Sequence, residues 1–514
     1  MGIFRTHLRA KRLMTTTEFE DIILRQFGLP PTQDQLGAID CFCSFLAAKG
    51  EGAMDWPVMV LRGSAGTGKT SVVAAMVQAL LNLKQKVVLL APTGRAAKVL
   101  SLNCDRPAST IHRKIYRQKS VGGDFSLDVN LHTDTLFVVD EASMISTMPQ
   151  VRTDGMPMFN GNGGGVIDDL VTYVYSGRNC RMMLVGDTAQ LPPVGEDEAP
   201  ALRNHVLECY GLRVFDCDMC EVVRQQQASG ILWNATMIRR LITHDDITQL
   251  PKIRFRGFAD IRVMPGNELI EALEDSYHRV GLDDTVVITR SNKRANIYNN
   301  GIRARVVDHE DELCSGDRIM VVKNHYFDDK KDNGAAQTAV PDDVQSEKGL
   351  TFIANGDIAV VRRVRNVRDL YGFRFADLLL RFPDYDDYEM QLTAMLDVLQ
   401  TEASALTADR QKALFDAVME DYDHLPHKAD RLKAVREDCY YNALQIKFAY
   451  AVTCHKAQGG QWSHVYVDQG YMTDDMLTPD YIHWLYTAFT RATETLYLVN
   501  WPKEQMEKDG GLSD

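Results

Sequence analysis

The segment Gly63-Ser64-Ala65-Gly66-Thr67-Gly68-Lys69-Thr70 satisfies G-x-x-x-x-G-K-[ST] at every fixed position, and Ser71 follows it. Before it lies a short apolar run, residues 58–61. After it comes a helical run, residues 70–83, with apolar positions at Val72, Val73, Met76, Val77, Leu80 and Leu81. In a strand–loop–helix of this kind, glycines let backbone N–H groups converge on phosphate, and the helix dipole adds to their pull. Lys69 is placed to neutralise β- and γ-phosphates, and the Thr70 hydroxyl to ligate Mg²⁺. A chain built around such a loop is α/β with a mainly parallel sheet.

Three further β-rich runs, 87–90, 136–139 and 182–185, each end at a polar motif. Ligands of open α/β sheets sit at the carboxyl ends of strands, so these ends are where chemistry is expected. The second run delivers Asp140 and Glu141. Asp140 would reach the metal, and Glu141 is placed to orient or deprotonate an attacking water. Kinases, GTPases, transporter ATPases and motors all share such parts. Asn292-Lys293-Arg294-Ala295 lacks the closing Asp of the N-K-x-D motif by which GTPases read their base.

The later motifs narrow the class. Gly186-Asp187-Thr188-Ala189-Gln190-Leu191-Pro192-Pro193 follows the third run, and a Gln there can sense a γ-phosphate. Then come Val223-Arg224-Gln225, Thr453-Cys454-His455-Lys456-Ala457-Gln458-Gly459 and Tyr486-Thr487-Ala488-Phe489-Thr490-Arg491-Ala492. In this order, from Gln35 to Arg491, the set resembles superfamily 1 helicases, and within them the clade B group of RecD-like and phage Dda-like enzymes. The resemblance implies that Gln35, in Pro31-Thr32-x-x-Gln35, reads adenine and so favours ATP. It also implies that Arg224 and Arg491 reach across from a second motor domain. The expected catalytic set is Lys69, Glu141, Gln190, Arg224 and Arg491. ATP is expected on Gln35 and on Gly63, Ser64, Ala65, Gly66, Thr67, Gly68, Lys69, Thr70 and Ser71, with Mg²⁺ on Thr70 and Asp140. Single-stranded DNA contacts are implied at Pro92, Thr93, Arg95, Thr110, His112, Thr289, Asn292, Thr453, His455 and Lys456.

The fold expected from pattern and resemblance is α/β, with two RecA-like P-loop motor domains on parallel sheets. A small hairpin insertion sits in the first, and a β-barrel-like plus helical insertion in the second. Residues 1–13 read as a basic, flexible start, although Gly2 and Thr6 also fit a myristoylation pattern. The first motor domain is expected at 14–208, the second at 209–303 with 440–514, and the inserted barrel at 304–439. A strand-separating pin is expected at 111–131, turning at Gly122-Gly123, with Tyr116 and Phe125 as rings on which bases could stack. Residues 350–364 turn at Asn355-Gly356, a hairpin signal.

Charge first points away from nucleic acid. Lys+Arg number 57 against 70 Asp+Glu, a net of −13, whereas phosphate binding depends on basic side chains. Residues 376–438, read as a helical acidic insertion, hold 15 of the acids and 7 of the bases. That stretch accounts for most of the surplus, and either a solvated face or a docking arm for a protein partner would explain it. With scattered cysteines, no secretory pattern and no membrane span, the expectation is a cytoplasmic monomer. Its expected activity is ATP-dependent DNA unwinding from single strands and fork junctions, in the 5′→3′ direction that the resemblance implies. A protein-displacing translocase with little unwinding and a non-motor DNA-binding subunit of a repair complex are the alternatives. RNA stays open as a substrate, because backbone-led grip does not distinguish sugars.

Overall fold

Two parallel sheets and one closed barrel arise from three different hydrophobic patterns. The computed structural model describes residues 15–48, 55–118, 125–149, 164–223, 228–244, 250–326 and 352–507. Arg224, the Gly122-Gly123 turn, the Phe125 side chain, the first 14 residues and the last seven lie outside the described residues.

The first unit opens with α1 (Thr16–Phe27) and α2 (Gln33–Ala47), each started by a capping box, Thr15 with Glu18 and Thr32 with Gln35. It continues through β1 (Trp56–Gly63), α3 (Lys69–Asn82), β2 (Lys86–Ala91), α4 (Gly94–Cys104), β3 (Ala108–Thr110), α5 (Ile111–Ile115), β4 (Tyr116–Gln118) and β5 (Phe125–Leu127). Then come β6 (Thr135–Val139), α6 (Val166–Ser176), β7 (Arg181–Gly186), α7 (Asn204–Cys209) and β8 (Leu212–Met219). The sheet order is β3-β2-β6-β7-β1-β8, parallel throughout. Near-continuous apolar strands such as Thr135–Val139, buried at all five positions, are what a sheet covered on both faces requires. β8 pairs along the whole of β1, Trp56 with Leu212 through Gly63 with Met219. The strand that the sequence assigned to the second domain therefore belongs to the first, because its apolar face completes the core around α2.

The second unit holds α8 (Gly230–His244), β9 (Ile261–Met264), α9 (Leu269–Arg279), β10 (Thr285–Thr289) and α10 (Asn292–Arg305). The barrel region follows as β11 (Arg318–Val321), β12 (His325–Tyr326), β13 (Phe352–Ile353), β14 (Ile358–Leu370), β15 (Phe373–Phe382), β16 (Tyr388–Met395), α11 (Ala408–Asp421), α12 (Lys428–Glu437) and β17 (Leu444–Phe448). The chain then returns to the second unit with β18 (Ala451–Thr453), α13 (Cys454–Ala457), β19 (Trp462–Asp468), α14 (Pro479–Phe489) and β20 (Ala492–Val499). Its parallel sheet runs β18-β10-β19-β20-β9.

Strands β11, β14, β15, β16 and β17 close the barrel. Here the sequence expectation needs correction. Residues 376–395 are strand with a short 3-10 turn at Pro383–Tyr385, not α-helix, because Phe373, Phe375, Leu378, Leu380 and Phe382 point inward at near-strand period, with Arg374, Asp377 and Arg381 between them. Only α11 and α12 are helical, and they cover one end of the barrel through Leu414, Val418 and Val435. Six of the fifteen acids but one of the seven bases of residues 376–438 lie at 376–397. Of the six acids at 376–397, three (Asp384, Asp386 and Asp387) lie at the barrel tip, whereas β14 alone carries four arginines. Asn355-Gly356 does turn, with Gly356 at φ +100°, yet β13 pairs with β12 and β14 with β11, so the turn closes no hairpin.

One buried knot fastens barrel to second sheet. The Asp317 carboxylate accepts from Arg303 Nε and Nη2 (both 2.9 Å), Cys314 N (2.7 Å) and Tyr450 Oη (2.9 Å), and it meets His309 Nδ1 at 2.9 Å. His309, Cys314 and Asp317 are close enough to suggest a metal, but Asp317 spends its lone pairs on these donors, so the cluster is structural. Asp317→Ala leaves Arg303, 6% exposed, without its counter-charge. We expect a loss of about 3–5 kcal/mol, read from urea unfolding; a loss below about 1 kcal/mol would remove this knot as a fastening.

Candidate functional site

The phosphate loop leaves β1 and enters α3 with Gly66 and Gly68 in left-handed backbone, φ +78° and +79°. At Gly68 even a methyl is excluded, since its Cβ would lie 2.7 Å from Gln35 Nε2. That Gln35 nitrogen donates to Thr67 O at 3.0 Å, while its Oε1 accepts from Thr32 N at 2.9 Å. Gln35 is therefore pinned to the loop by the same box that starts α2. Thr67 Oγ1 donates to Ser64 O at 2.8 Å, and Lys69 Nζ donates to Ser64 O at 3.0 Å and to Gly63 O. Thr70 and Ser71 are exposed on the first turn of α3.

The acids stand where β6 ends. Asp140 is anchored by its amide to Leu90 O (2.9 Å), and its Oδ1 accepts from Glu141 N (2.9 Å). Glu141 adopts left-handed backbone, φ +52°, a conformation that non-glycine residues pay strain to hold. Burial, reinforced by the neighbouring Glu141 charge, pushes the Asp140 carboxyl above its ordinary range. Glu141 Oε2 is buried and has no hydrogen-bond partner among the described residues. Two crowded, desolvated carboxylates and the Thr70 hydroxyl form a hard oxygen donor set, which fits Mg²⁺.

Contacts from the second unit complete the site. Tyr486 Oη, on α14, accepts from Ala65 N of the phosphate loop (2.9 Å) and donates to Asp187 Oδ2 (2.6 Å). Leu191 N donates to Thr487 Oγ1 (2.8 Å), Gln458 Nε2 to Leu191 O (2.6 Å), and the His483 ring meets Ala189 O (2.9 Å). Ala189 and Leu191 enter the second unit's core beside Ala457, Leu485 and Tyr486. Gln190 lies between these ties, 7% exposed, with Oε1 unpartnered among the described residues. Arg491 is placed differently from the sequence expectation. Its guanidinium is buried, and its donors go to Thr487 O, Gly460 O and Thr490 Oγ1, all on its own unit. Sequence reasoning passed over Tyr486, Asp187 and Gln458, although all three stand in quoted motifs, because their pairing across the cleft is non-local. It also missed Arg239, whose Nη1 donates to Ser64 Oγ at 3.0 Å and which no motif signals.

The candidate strand contacts divide. Thr93 and Thr110 cap α4 and α5 by accepting from Ala96 N and Arg113 N, and Thr110 is buried. Thr289 is fully buried, bonded to Ser291 O. Arg95 stacks over the Trp462 ring at 4.4 Å and donates to Gln461 O at 2.7 Å, so it bridges the units. Pro92, His112 and Asn292 are half-exposed, as are Thr453 and Lys456, and His455 is exposed. Asn292, Thr453 and Lys456 line one cavity at the carboxyl ends of β10 and β18. In the pin region, β4 and β5 pair over three residues, Tyr116 opposite Leu127. Tyr116 is 9% exposed and donates to Asp169 Oδ2 at 2.8 Å, so its ring is not presented to a base.

The barrel tip presses on the start of α4. Asp357, 2% exposed, accepts at Oδ2 from Tyr385 Oη (2.6 Å) and Ala354 N (2.7 Å). A Cβ on Gly94 would sit 2.5 Å from Asp357 Oδ1, so glycine is needed for this approach. Lys98 Nζ donates to Pro383 O (2.5 Å) and lies 3.6 Å from Asp384. Burial, with a smaller push from Asp384, raises the Asp357 carboxyl from 3.8 to about 7, against the hydrogen bonds from Tyr385 and Ala354. A carboxyl whose pKa rises on docking takes up a proton, so docking is strongest near pH 4 and weakens as pH climbs to about 7. Hydrogen exchange at the first turn of α4 should therefore show protection that falls between pH 5 and 7, and that Asp357→Asn makes flat. Equal pH dependence in both proteins would contradict the assignment.

An AAA domain model matches residues 51–152, and a UvrD-like helicase C-terminal domain model matches residues 448–499. The chain is 34% identical over 137 residues to the ATP-dependent RecD2 DNA helicase of Deinococcus radiodurans, covering 27% of this chain and 16% of that one. It is 23% identical over 343 residues to the ATP-dependent DNA helicase dda of enterobacteria phage T4, covering 64% and 70%. An uncharacterised protein of Methanocaldococcus jannaschii, MJ1519, is 23% identical over 86% of this chain, which spans 36% of that protein's length. The two matched segments carry the phosphate loop with its acids and the α13–α14 motifs that face them across the cleft. With these motifs in order, and relatives of both RecD and Dda type, the chain is similar to the RecD-like and Dda-like clade B of superfamily 1 helicases.

Proposed function

We propose that this chain is an ATP- and Mg²⁺-dependent motor that moves 5′→3′ along single-stranded DNA and unwinds the duplex ahead. The observation that carries the proposal is the Tyr486 hydroxyl of the second unit, bonded across the cleft to both the phosphate loop and Asp187. A nucleotide that reshapes the loop must then move the second unit with it, which is what a motor needs and a passive binding protein does not.

In this mechanism, the loop amides and Lys69 hold the triphosphate and Glu141 takes the proton from the attacking water. Gln190, buried between the units with a free acceptor, reports the terminal phosphate. Bound Mg²⁺ would neutralise charge on the β- and γ-phosphates. Arg224 would complete the charge stabilisation from the second unit, and Arg491 would do so after leaving its present acceptors. Pro92, His112, Asn292, Thr453, His455 and Lys456 would grip the strand by its backbone, fixing position without reading sequence. The buried Tyr116 ring favours a second reading in which unwinding is weak and protein displacement dominates.

Tailed-fork assays decide between these readings. We expect unwinding from 5′-tailed forks, absent in Lys69→Ala. Unwinding from 3′ tails alone would overturn the direction, and protein displacement without strand separation would establish the second reading. Glu141→Gln should keep nucleotide binding while turnover falls by about 10²–10⁴-fold; ordinary turnover would remove Glu141 as the base.

A further inference from the structure

Helix α8 packs into the second unit through Ile231, Ala235 and Ile238, against the core that contains Leu485 and Phe489 of α14. The next residue, Arg239, points away from that core to the phosphate loop of the first unit. Its Nη1 donates to Ser64 Oγ at 3.0 Å, and its Nη2 lies 3.6 Å from Cys220 Sγ. Among the described residues Arg239 forms no ion pair, although Asp187 and the Tyr486 hydroxyl lie within its electrostatic reach. Ser64 is 6% exposed and held at both ends. Its hydroxyl accepts from Arg239, and its carbonyl accepts from Lys69 Nζ and Thr67 Oγ1. One buried serine thus links a cation of the second unit to the lysine of the first.

We propose that Arg239 is a positioning residue for ATP hydrolysis, setting Lys69 through Ser64 when the two units close. The inference rests on the motor assignment but names a residue that assignment does not need. A guanidinium suits this place: its planar fork holds a fixed direction, whereas an ammonium on a flexible stem does not. Misplacing a phosphate-binding group by about 1 Å can cost on the order of 10²-fold in rate.

The test is DNA-stimulated ATPase in the full chain for Arg239→Ala, Arg239→Lys, Ser64→Ala and the Arg239→Ala/Ser64→Ala double variant, with Lys69→Ala as the inactive control. We expect Arg239→Ala to lower kcat by about tenfold to a hundredfold, with KM changed by less than about threefold. Arg239→Lys should recover part of the loss. Ser64→Ala should fall in the same direction, and the double variant should be no worse than the poorer single, because the residues act as one unit. Unchanged kcat in Arg239→Ala, or losses that multiply in the double variant, would overturn the inference. Should Arg239→Ala fail to fold, Ser64→Ala tests the same contact from the other side, and its wild-type kcat would overturn the inference equally. A wild-type chain without turnover would overturn the motor assignment itself, a result distinct from wild-type turnover with an indifferent Arg239.

Discussion

A single phenolic oxygen constrains the rest of this molecule. Tyr486 Oη takes a proton donor from the phosphate loop and gives its own proton to Asp187, and all of this happens out of water. Burial pushes the phenol well above its ordinary range, so the group stays a neutral donor and acceptor at any working pH. Leaving either partner unsatisfied in such a place costs about 1–3 kcal/mol per group. Loop, acid and helix α14 therefore move as a set. The adjoining ties from Thr487, Gln458 and His483 extend that set along residues 189–191.

The barrel repeats the same economy on the other face. Its tip closes on α4 through Asp357, Tyr385 and the Lys98 contacts, and Lys456 donates to Asn355 Oδ1 in the same turn. These are contacts onto the segments proposed to grip the strand. The net charge of −13 thus says little about affinity for a polyanion. Part of the acid, Asp357 and Asp384, is spent at a barrel tip that packs against protein. Several candidate strand residues face open ground at the carboxyl ends of the sheets, where an α/β fold presents its ligands.

What was legible in the sequence follows from how local the physics is. Gly63–Thr70, Asp140-Glu141 and the apolar strands before them rest on short-range rules, and the sheets form where those rules place them. Non-local pairing was not legible. Leu212–Met219 reads equally well as the last strand of one domain or the first of the next, and only its fit beside β1 decides. The strand at Phe373–Phe382 was hidden because Ala376, Asp377 and Leu379 break the alternation of Phe373, Phe375, Leu378 and Leu380. Thr93, Thr110 and Arg95 show the limit for sites. Their identities suit phosphate contact, yet helix capping and an aromatic face across the cleft claim them first. Arg239 carries no motif at all; three-dimensional proximity is its only signal.

The central claim is that nucleotide and domain closure are one event. Fluorescence resonance energy transfer between dyes at Leu102→Cys on α4 and Ile297→Cys on α10, both exposed positions, measures it most directly in a background without other exposed thiols. The account predicts the shortest separation with a non-hydrolysable ATP analogue and Mg²⁺, and a longer one with ADP or no nucleotide. A separation that stays the same in all three states would contradict it.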